Sequence, residues 1–292
     1  MIIREILQSL RPHQWVKNFF VFAGIIFSEN LFHLDCWLNV SAAFGLFCLL
    51  SGSIYLINDI LDYREDKIHP EKCHRPIAAG RLPIMTAIIA VVILGSIALT
   101  SAFLLSPAFG LIALIYFVMN LLYSKVLKHM VIIDVMTIGL GFVLRAMAGA
   151  VVIHVEISKW LILCTFLLAL FLGFSKRRHE LRLLAGEANN HRKILEEYDP
   201  AFLDMMITIV TSATIVAYAL YTMSHETIVK FRTERLIYST PFVMYGIFRY
   251  LYLVHLKNEG GSPSKTLVRD LPLIVNLCLW LLFICWTIYT KH

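Results

Sequence analysis

Nine apolar runs, each closed by charge or by Pro and Gly, punctuate the chain near residues 16–32, 37–57, 84–105, 108–122, 131–153, 158–174, 203–223, 236–256 and 271–290. Most approach the ~20 residues that a helix needs to cross the hydrocarbon core of a bilayer. A run of this kind in lipid must close its backbone hydrogen bonds within itself, which a helix does. The pattern therefore predicts an all-α integral membrane protein: a bundle of about nine transmembrane helices forming one polytopic domain over residues 1–292. The polar residues gather in three stretches, 58–83, 175–202 and 257–270, predicted as loops. No 20–50-residue period recurs, so a repeat architecture is excluded.

Composition sharpens this reading. Of the 292 residues, 59% are apolar and 16% charged, far from the roughly 25% charge of soluble domains, so a soluble enzyme is excluded. The net charge is +6. With the N-terminus in the cytoplasm, twenty of the 26 Lys and Arg residues face that side and five the other, with Arg145 alone inside a span. Positive charge accumulates on cytoplasmic loops, so all three polar stretches, and with them the active face, are expected on the cytoplasmic side of a multi-pass plasma (inner) membrane protein. The basic balance needs no nucleic acid to explain it. The six cysteines form no CxxC pair and are expected to be reduced and mostly buried. The first run has no small-x-small cleavage site and is read as a first membrane helix rather than a removable signal.

Candidate chemistry is confined to a few places. The second run ends in Asn58, Asp59, Ile60, Leu61, Asp62, Tyr63, Arg64, Glu65, Asp66. At about 100° per residue, Asn58, Asp59, Asp62 and Asp66 share one quadrant of a helix. Like charges so placed repel and call for a cation, and carboxylates with substrate phosphates are a usual setting for Mg²⁺. A solvated helix end neutralised by Arg64 and Lys67 is the competing reading. In the fifth run Asp134 and Arg145 lie eleven residues, or ~16 Å, apart on one stripe, with Gly141, Ala148 and Gly149 leaving room for close approach. An intramembrane Arg faces the bundle interior and is a functional candidate; it awaits an anion or pairs with a neighbouring acid. Two basic groups, Tyr123–Lys125–Lys128 and Ser175–Lys176–Arg177–Arg178–His179–Glu180, suit a polyphosphate, although anionic headgroups also attract such residues. Arg11, Pro12, His13, Gln14, Trp15, Val16, Lys17, Asn18 combine a helix-start Pro with an interfacial Trp, as an anchor or a ligand site. HExxH, a Walker A loop, zinc spacing and GxSxG are all absent. Gly260–Gly261–Ser262–Pro263 reads as a flexible loop.

NDxxDxxxD at Asn58–Asp66, followed by HRPIAAG with Arg75, Pro76 and Gly80, resembles the UbiA superfamily of membrane prenyltransferases over nearly the whole chain. The resemblance implies a Mg²⁺ ion on Asp59, Asp62 and Asp66, with Asp59 and Asp62 central to catalysis. The second acidic motif of that superfamily, DxxxD, is missing; SKRRHEL at Ser175–Leu181 stands in its place. RPHQWVKN, YSKVLKH at Tyr123–His129, the Asp134–Arg145 stretch ending FVLRAMAG, and KRxxEL at Lys176–Leu181 are similar to the branch of decaprenyl-phosphate phosphoribosyltransferases.

That branch implies transfer of 5-phosphoribose from phosphoribosyl diphosphate to a polyprenyl phosphate, for a lipid-linked pentose donor in cell-envelope glycan synthesis. The substrate-binding residues it points to are Lys17, Asn18, Asn58, Arg75, Tyr123, Lys128, Asp134, Arg145, Lys176 and Arg177, with Asp134 on a ribose hydroxyl. The alternative is a prenyl transfer from a diphosphate to an aromatic acceptor. A transporter is the reading from another class, but transporters place charge and broken helices at the midplane, where only Arg145 comes close. A homo-oligomer is a further expectation.

Overall fold

The computed structural model describes residues 2–70, 72–184, 197–257, 266 and 269–290. Within them every regular element is a helix, in the order α1 (Ile2–Ser9), a 3₁₀ segment (Pro12–Phe22), α2 (Ala23–Ile26), α3 (Leu34–Leu61), α4 (Tyr63–Ile68), α5 (Ile84–Leu105), α6 (Pro107–Lys125), α7 (Ile133–Val152), α8 (Lys159–Leu184), α9 (Pro200–Met223), α10 (His225–Phe231), α11 (Thr240–Leu256) and α12 (Leu271–Tyr289), with short 3₁₀ turns between some of them. Seven of the described helices are long and apolar enough to cross a membrane: α3, α5, α6, α7, α8, α9 and α12. The protein is an all-α, multi-pass membrane protein.

Two of the nine predicted spans take another form. The run at 16–32 folds as the 3₁₀ segment and the single turn α2, and the run at 236–256 as a 3₁₀ turn, Arg235–Ser239, followed by the 17-residue α11. The predicted loop at 58–83 begins with the last turn of α3 and all of α4, and the stretch 175–202 begins with the last turns of α8. Gly260–Pro263 lies outside the described residues.

The chain divides into two compact units, residues 1–157 and 158–292. In the first, α3 packs on α5 and on the 3₁₀ segment, α5 on α6, and α6 on α7, around Val21, Ile25, Phe47, Phe109, Tyr116 and Ala148. Helix α5 shows how lipid inverts the usual pattern. Its small residues Ala87, Ala90, Gly95, Ala98 and Ala102 are buried, while Ile88, Ile89, Val92, Ile93 and Ile97 are exposed; small residues let backbones approach where lipid, not water, lies outside. Ser106 separates α5 from α6 because the ring of Pro107 drives the residue before it into the extended region, here φ −163°, ψ 130°.

The tightest approach is between α7 and the N-terminal segment. A Cβ on Gly149 would lie 1.7 Å from the Val21 carbonyl oxygen, and one on Gly24 would lie 2.9 Å from the Ala150 nitrogen. Only glycine admits this contact, which seats residues 17–21 against α7 one turn from Arg145.

In the second unit α8 packs on α9, and α11 on α12. Asp199, Ser224 and Asp270 cap α9, α10 and α12 by accepting hydrogen bonds from Phe202, Thr227 and Leu273 backbone N–H groups, each satisfying a donor that a helix start leaves open. Asp270 also receives the Arg249 guanidinium at 2.9 and 3.2 Å; that hydrogen bond, with the cap bond, holds its carboxyl below the usual range. Tyr218 Oη bonds to Ser239 Oγ at 2.7 Å and accepts from Trp280 Nε1 at 3.0 Å, so these buried polar groups are paired within the unit.

Candidate active site

The acidic motif sits where α3 gives way to α4. Asp62 joins them, with φ −90° and ψ 10°, but the hydrogen bonds from Asp62 N to Asn58 O and from Asp66 N to Asp62 O continue across it. Asp59 and Asp66 therefore lie two turns apart on one side. Both are almost fully buried, and one Arg75 nitrogen donates to both, at 3.0 Å to Asp59 and 2.6 Å to Asp66. Arg11 also pairs with Asp59, and Lys72 lies 3.9 Å from Asp66. Asp62 turns instead to Lys128, at 2.6 Å.

The cation demanded by the clustered acids thus comes from the protein. Its members are not the neighbours Arg64 and Lys67 but Arg11, Arg75, Lys72 and Lys128, and Lys67 lies over the Tyr63 ring at 4.5 Å. Among the described residues no group of three or more His, Cys, Asp or Glu side chains is gathered to hold a metal ion. The three carboxylates, expected on one face, take different basic partners: Arg75 bridges Asp59 and Asp66, and Lys128 pairs with Asp62.

The donor set still fits a hard divalent cation. Asp59, Asp62 and Asp66 offer carboxylate oxygens of the kind Mg²⁺ takes, and Asp66 Oδ1 is buried without a hydrogen-bond partner. Such an ion would have to displace basic side chains from the acids.

The loop that carries Arg75 is anchored from below. Ile77 and Leu82 are buried with Leu10 and Leu56, Gly80 supplies the φ of +73° its turn requires, and Arg81 donates to Glu5 of α1 at 3.0 Å. Arg11 itself has a left-handed backbone, φ 53°, at the start of the 3₁₀ segment.

A second centre lies deeper. Arg145, 6% exposed, donates Nε to Asn18 Oδ1 at 2.7 Å, Nη1 to the Gly141 carbonyl at 2.8 Å and Nη2 to Tyr116 Oη at 2.6 Å. Its guanidinium stacks over the Tyr116 and Phe142 rings. Asn18 is held from behind, its amide donating to Ser51 Oγ at 3.2 Å and Cys48 Sγ at 3.3 Å. Lys17, the residue before Asn18 in the 3₁₀ segment, is half-buried. Asp134, predicted on the same stripe, is fully buried in the first turn of α7 but does not pair with Arg145.

Lys17, Asn18, Asn58, Asp59, Asp62, Asp66, Arg75, Tyr123, Lys128, Asp134 and Arg145 all belong to the first unit; Asn58 and Tyr123 are half-buried, on α3 and α6. Lys176 and Arg177 belong to the second, where both pair with Glu180 and the Arg177 side chain is almost fully buried. Arg178 pairs with Asp204 of α9. Of the six cysteines, Cys48 is buried, Cys36, Cys73, Cys164 and Cys285 are half-buried, Cys278 is exposed, and all are free thiols. Sequence reasoning missed Arg11 as an acid partner, and Tyr116 and Ser51 as supports of Arg145. The available signal was Arg145 itself, which inside a span obliges facing helices to supply polar atoms.

Comparison with known proteins bears on the family and the fold. Residues 18–268 match the UbiA prenyltransferase family. The chain is 34% identical over 290 residues to a decaprenyl-phosphate phosphoribosyltransferase of Corynebacterium glutamicum, covering 97% of this chain and 86% of that one. It is 30% identical to the enzyme of the same name from Mycolicibacterium smegmatis, covering 96% and 91%. A UbiA homolog from Archaeoglobus fulgidus, solved with GPP and Mg²⁺, shares the fold with a TM-score of 0.71 at 17% identity, over 98% of this chain and all of that one. With the family model spanning residues 18–268 and relatives at 34% and 30% identity along nearly the whole chain, the chain belongs to the UbiA prenyltransferase family.

Proposed function

We propose that the protein transfers 5-phosphoribose from phosphoribosyl diphosphate to a polyprenyl phosphate of decaprenyl type, releasing diphosphate, at the cytoplasmic face of the plasma (inner) membrane. The product is a lipid-linked pentose donor for cell-envelope glycans. Similarity to phosphoribosyltransferases along nearly the full chain supports this. The observation that carries it is Arg145, a buried guanidinium whose hydrogen-bond acceptors, Asn18, the Gly141 carbonyl and Tyr116, are all neutral. Together with the acidic motif it makes two separate centres for anions, which a reaction between two phosphorylated substrates needs. Prenyl transfer to an aromatic acceptor has one polyanionic substrate, and the family's second acidic motif for it is replaced by SKRRHEL.

Asp59, Asp62 and Asp66 would hold Mg²⁺, whose contribution is to neutralise charge developing on the leaving diphosphate. Arg11, Arg75 and Lys128, now paired with those acids, become available to phosphate oxygens when released. Lys17, Asn18, Lys128 and Arg145 align the two substrates, which otherwise repel; Lys176 and Arg177 carry over from the resemblance as further phosphate contacts. Asp134, with Asn58 and Tyr123, serves the sugar. A phosphate monoester carries about −1.5 to −2 charge near neutral pH, so the acceptor needs no general base.

The deciding experiment gives the purified protein labelled phosphoribosyl diphosphate with a polyprenyl phosphate and, separately, labelled prenyl diphosphate with 4-hydroxybenzoate. Label enters the lipid fraction from the pentose donor. Product in the second mixture alone overturns the proposal.

A further inference from the structure

The two centres of the first unit differ in depth and in neighbours. Asn18, which holds Arg145, reaches α3 at Ser51. Asp59 is eight residues further along the same helix, so the centres are ~12 Å apart at 1.5 Å per residue. The outer centre is rimmed by partly exposed Arg11, Arg75 and Lys128. The inner one is walled by an apolar cluster, with Phe47, Phe109 and Ile112 beside Tyr116.

A guanidinium has five N–H groups, of which three on Arg145 are used, each by a neutral acceptor. A buried charge without a counter-charge is costly. Asn18 is fixed through its own amide, Tyr116 keeps its hydroxyl proton to donate after accepting from Arg145, and Lys17, the residue before Asn18, brings a second basic side chain to the same segment. Two N–H groups of this buried guanidinium are thus left over from its neutral acceptors, in apolar surroundings.

Resting on the reading of the protein as a phosphoribosyltransferase, we infer that Arg145, Lys17, Asn18 and Tyr116 bind the phosphate monoester of the acceptor lipid, and that the diphosphate of the sugar donor lies at the outer, acidic centre. The lipid phosphate arrives with an apolar tail that stays in the bilayer, whereas the sugar donor arrives from water. Displacement then runs along α3. An acceptor phosphate oxygen forms its bond to C1 of the ribose from the inner side. The C1–O bond to diphosphate breaks on the outer side, its electron pair leaving with diphosphate, and no proton passes to the protein.

The test is equilibrium binding to the full-length protein in nanodiscs, with farnesyl phosphate, farnesol and phosphoribosyl diphosphate as probes. A hydrogen-bonded charge pair contributes enough that Arg145→Lys should weaken farnesyl phosphate about tenfold or more, leave farnesol unchanged and leave phosphoribosyl diphosphate within about twofold. Lys17→Met, which removes charge without touching the Asn18–Arg145 bond, should act in the same direction and covers the case in which the Arg145 variant fails to fold. Weakened phosphoribosyl diphosphate with unchanged farnesyl phosphate overturns the inference while leaving the proposed reaction standing, because the inner centre then holds the sugar's 5-phosphate. No loss for either probe in folded variants also overturns it. A wild-type protein that binds no phosphoribosyl diphosphate at all overturns both.

Discussion

Asp59 is 2% exposed and meets two guanidinium groups, from Arg11 and Arg75, whose side chains remain 22% and 25% exposed. Removing its charge therefore leaves two cations that water can still reach, and the fold should survive. Asp59→Asn is expected to keep its elution volume and helix content in detergent while turnover falls by at least ~100-fold, the scale at which loss of a group acting on transition-state charge is felt. Normal Mg²⁺-dependent turnover in the variant would remove Asp59 from the metal assignment. The acids themselves were legible in the sequence because their spacing follows the helix on which they sit. Their partners were not: Arg11 is 48 residues from Asp59 and Lys128 is 66 from Asp62. Such pairs depend on which helix ends the fold brings together, and local pattern carries no record of that. Arg145 is intermediate, since charge inside an apolar run announces a buried polar site without naming Asn18 or Tyr116.

Among the elements, the 3₁₀ segment Pro12–Phe22 departs furthest from its sequence pattern. Its apolar content signals a membrane helix, yet Pro12 at its start, the left-handed Arg11 before it and the demand for backbone contact with α7 hold it in a tighter form. Gly149 makes that contact possible. Gly149→Leu would place carbon where the Val21 carbonyl oxygen now lies, at 1.7 Å for the first atom alone. The collision is with backbone and cannot be relieved by a rotamer. We expect a loss of about 1–3 kcal/mol or more, typical of overpacking, seen as a lowered melting temperature, together with weakened farnesyl phosphate binding because Asn18 moves away from Arg145. Wild-type stability and binding in this variant would show that the segment does not depend on the contact. The seven long helices, by contrast, were plain from sequence, since a long apolar run in lipid has few other ways to satisfy its backbone. Their ends are set by local chemistry that the apolar runs alone do not register: Pro107 and Pro200 in the first turns of α6 and α9, and the Asp199 and Asp270 caps.

For the molecule as a whole, the proposed reaction makes sense only if the acidic motif faces the compartment that supplies the sugar donor. The uneven division of Lys and Arg predicts that this is the cytoplasm. Helix α3 has 28 residues, a length of ~42 Å, which exceeds the ~30 Å hydrocarbon core, so its two ends are expected at opposite membrane faces. Cys73, half-buried in the loop beyond the acidic motif, marks one end; His33, exposed at the helix start, marks the other. In a variant that keeps Cys73 and has the other five cysteines replaced, a membrane-impermeant maleimide should react in inside-out vesicles and not in intact cells. Moving the single thiol, by Cys73→Ser with His33→Cys in the same background, should reverse the pattern. Labelling of Cys73 in intact cells would put the acids on the outer face, where phosphoribosyl diphosphate is not made, and the reaction proposed for this protein would have no donor.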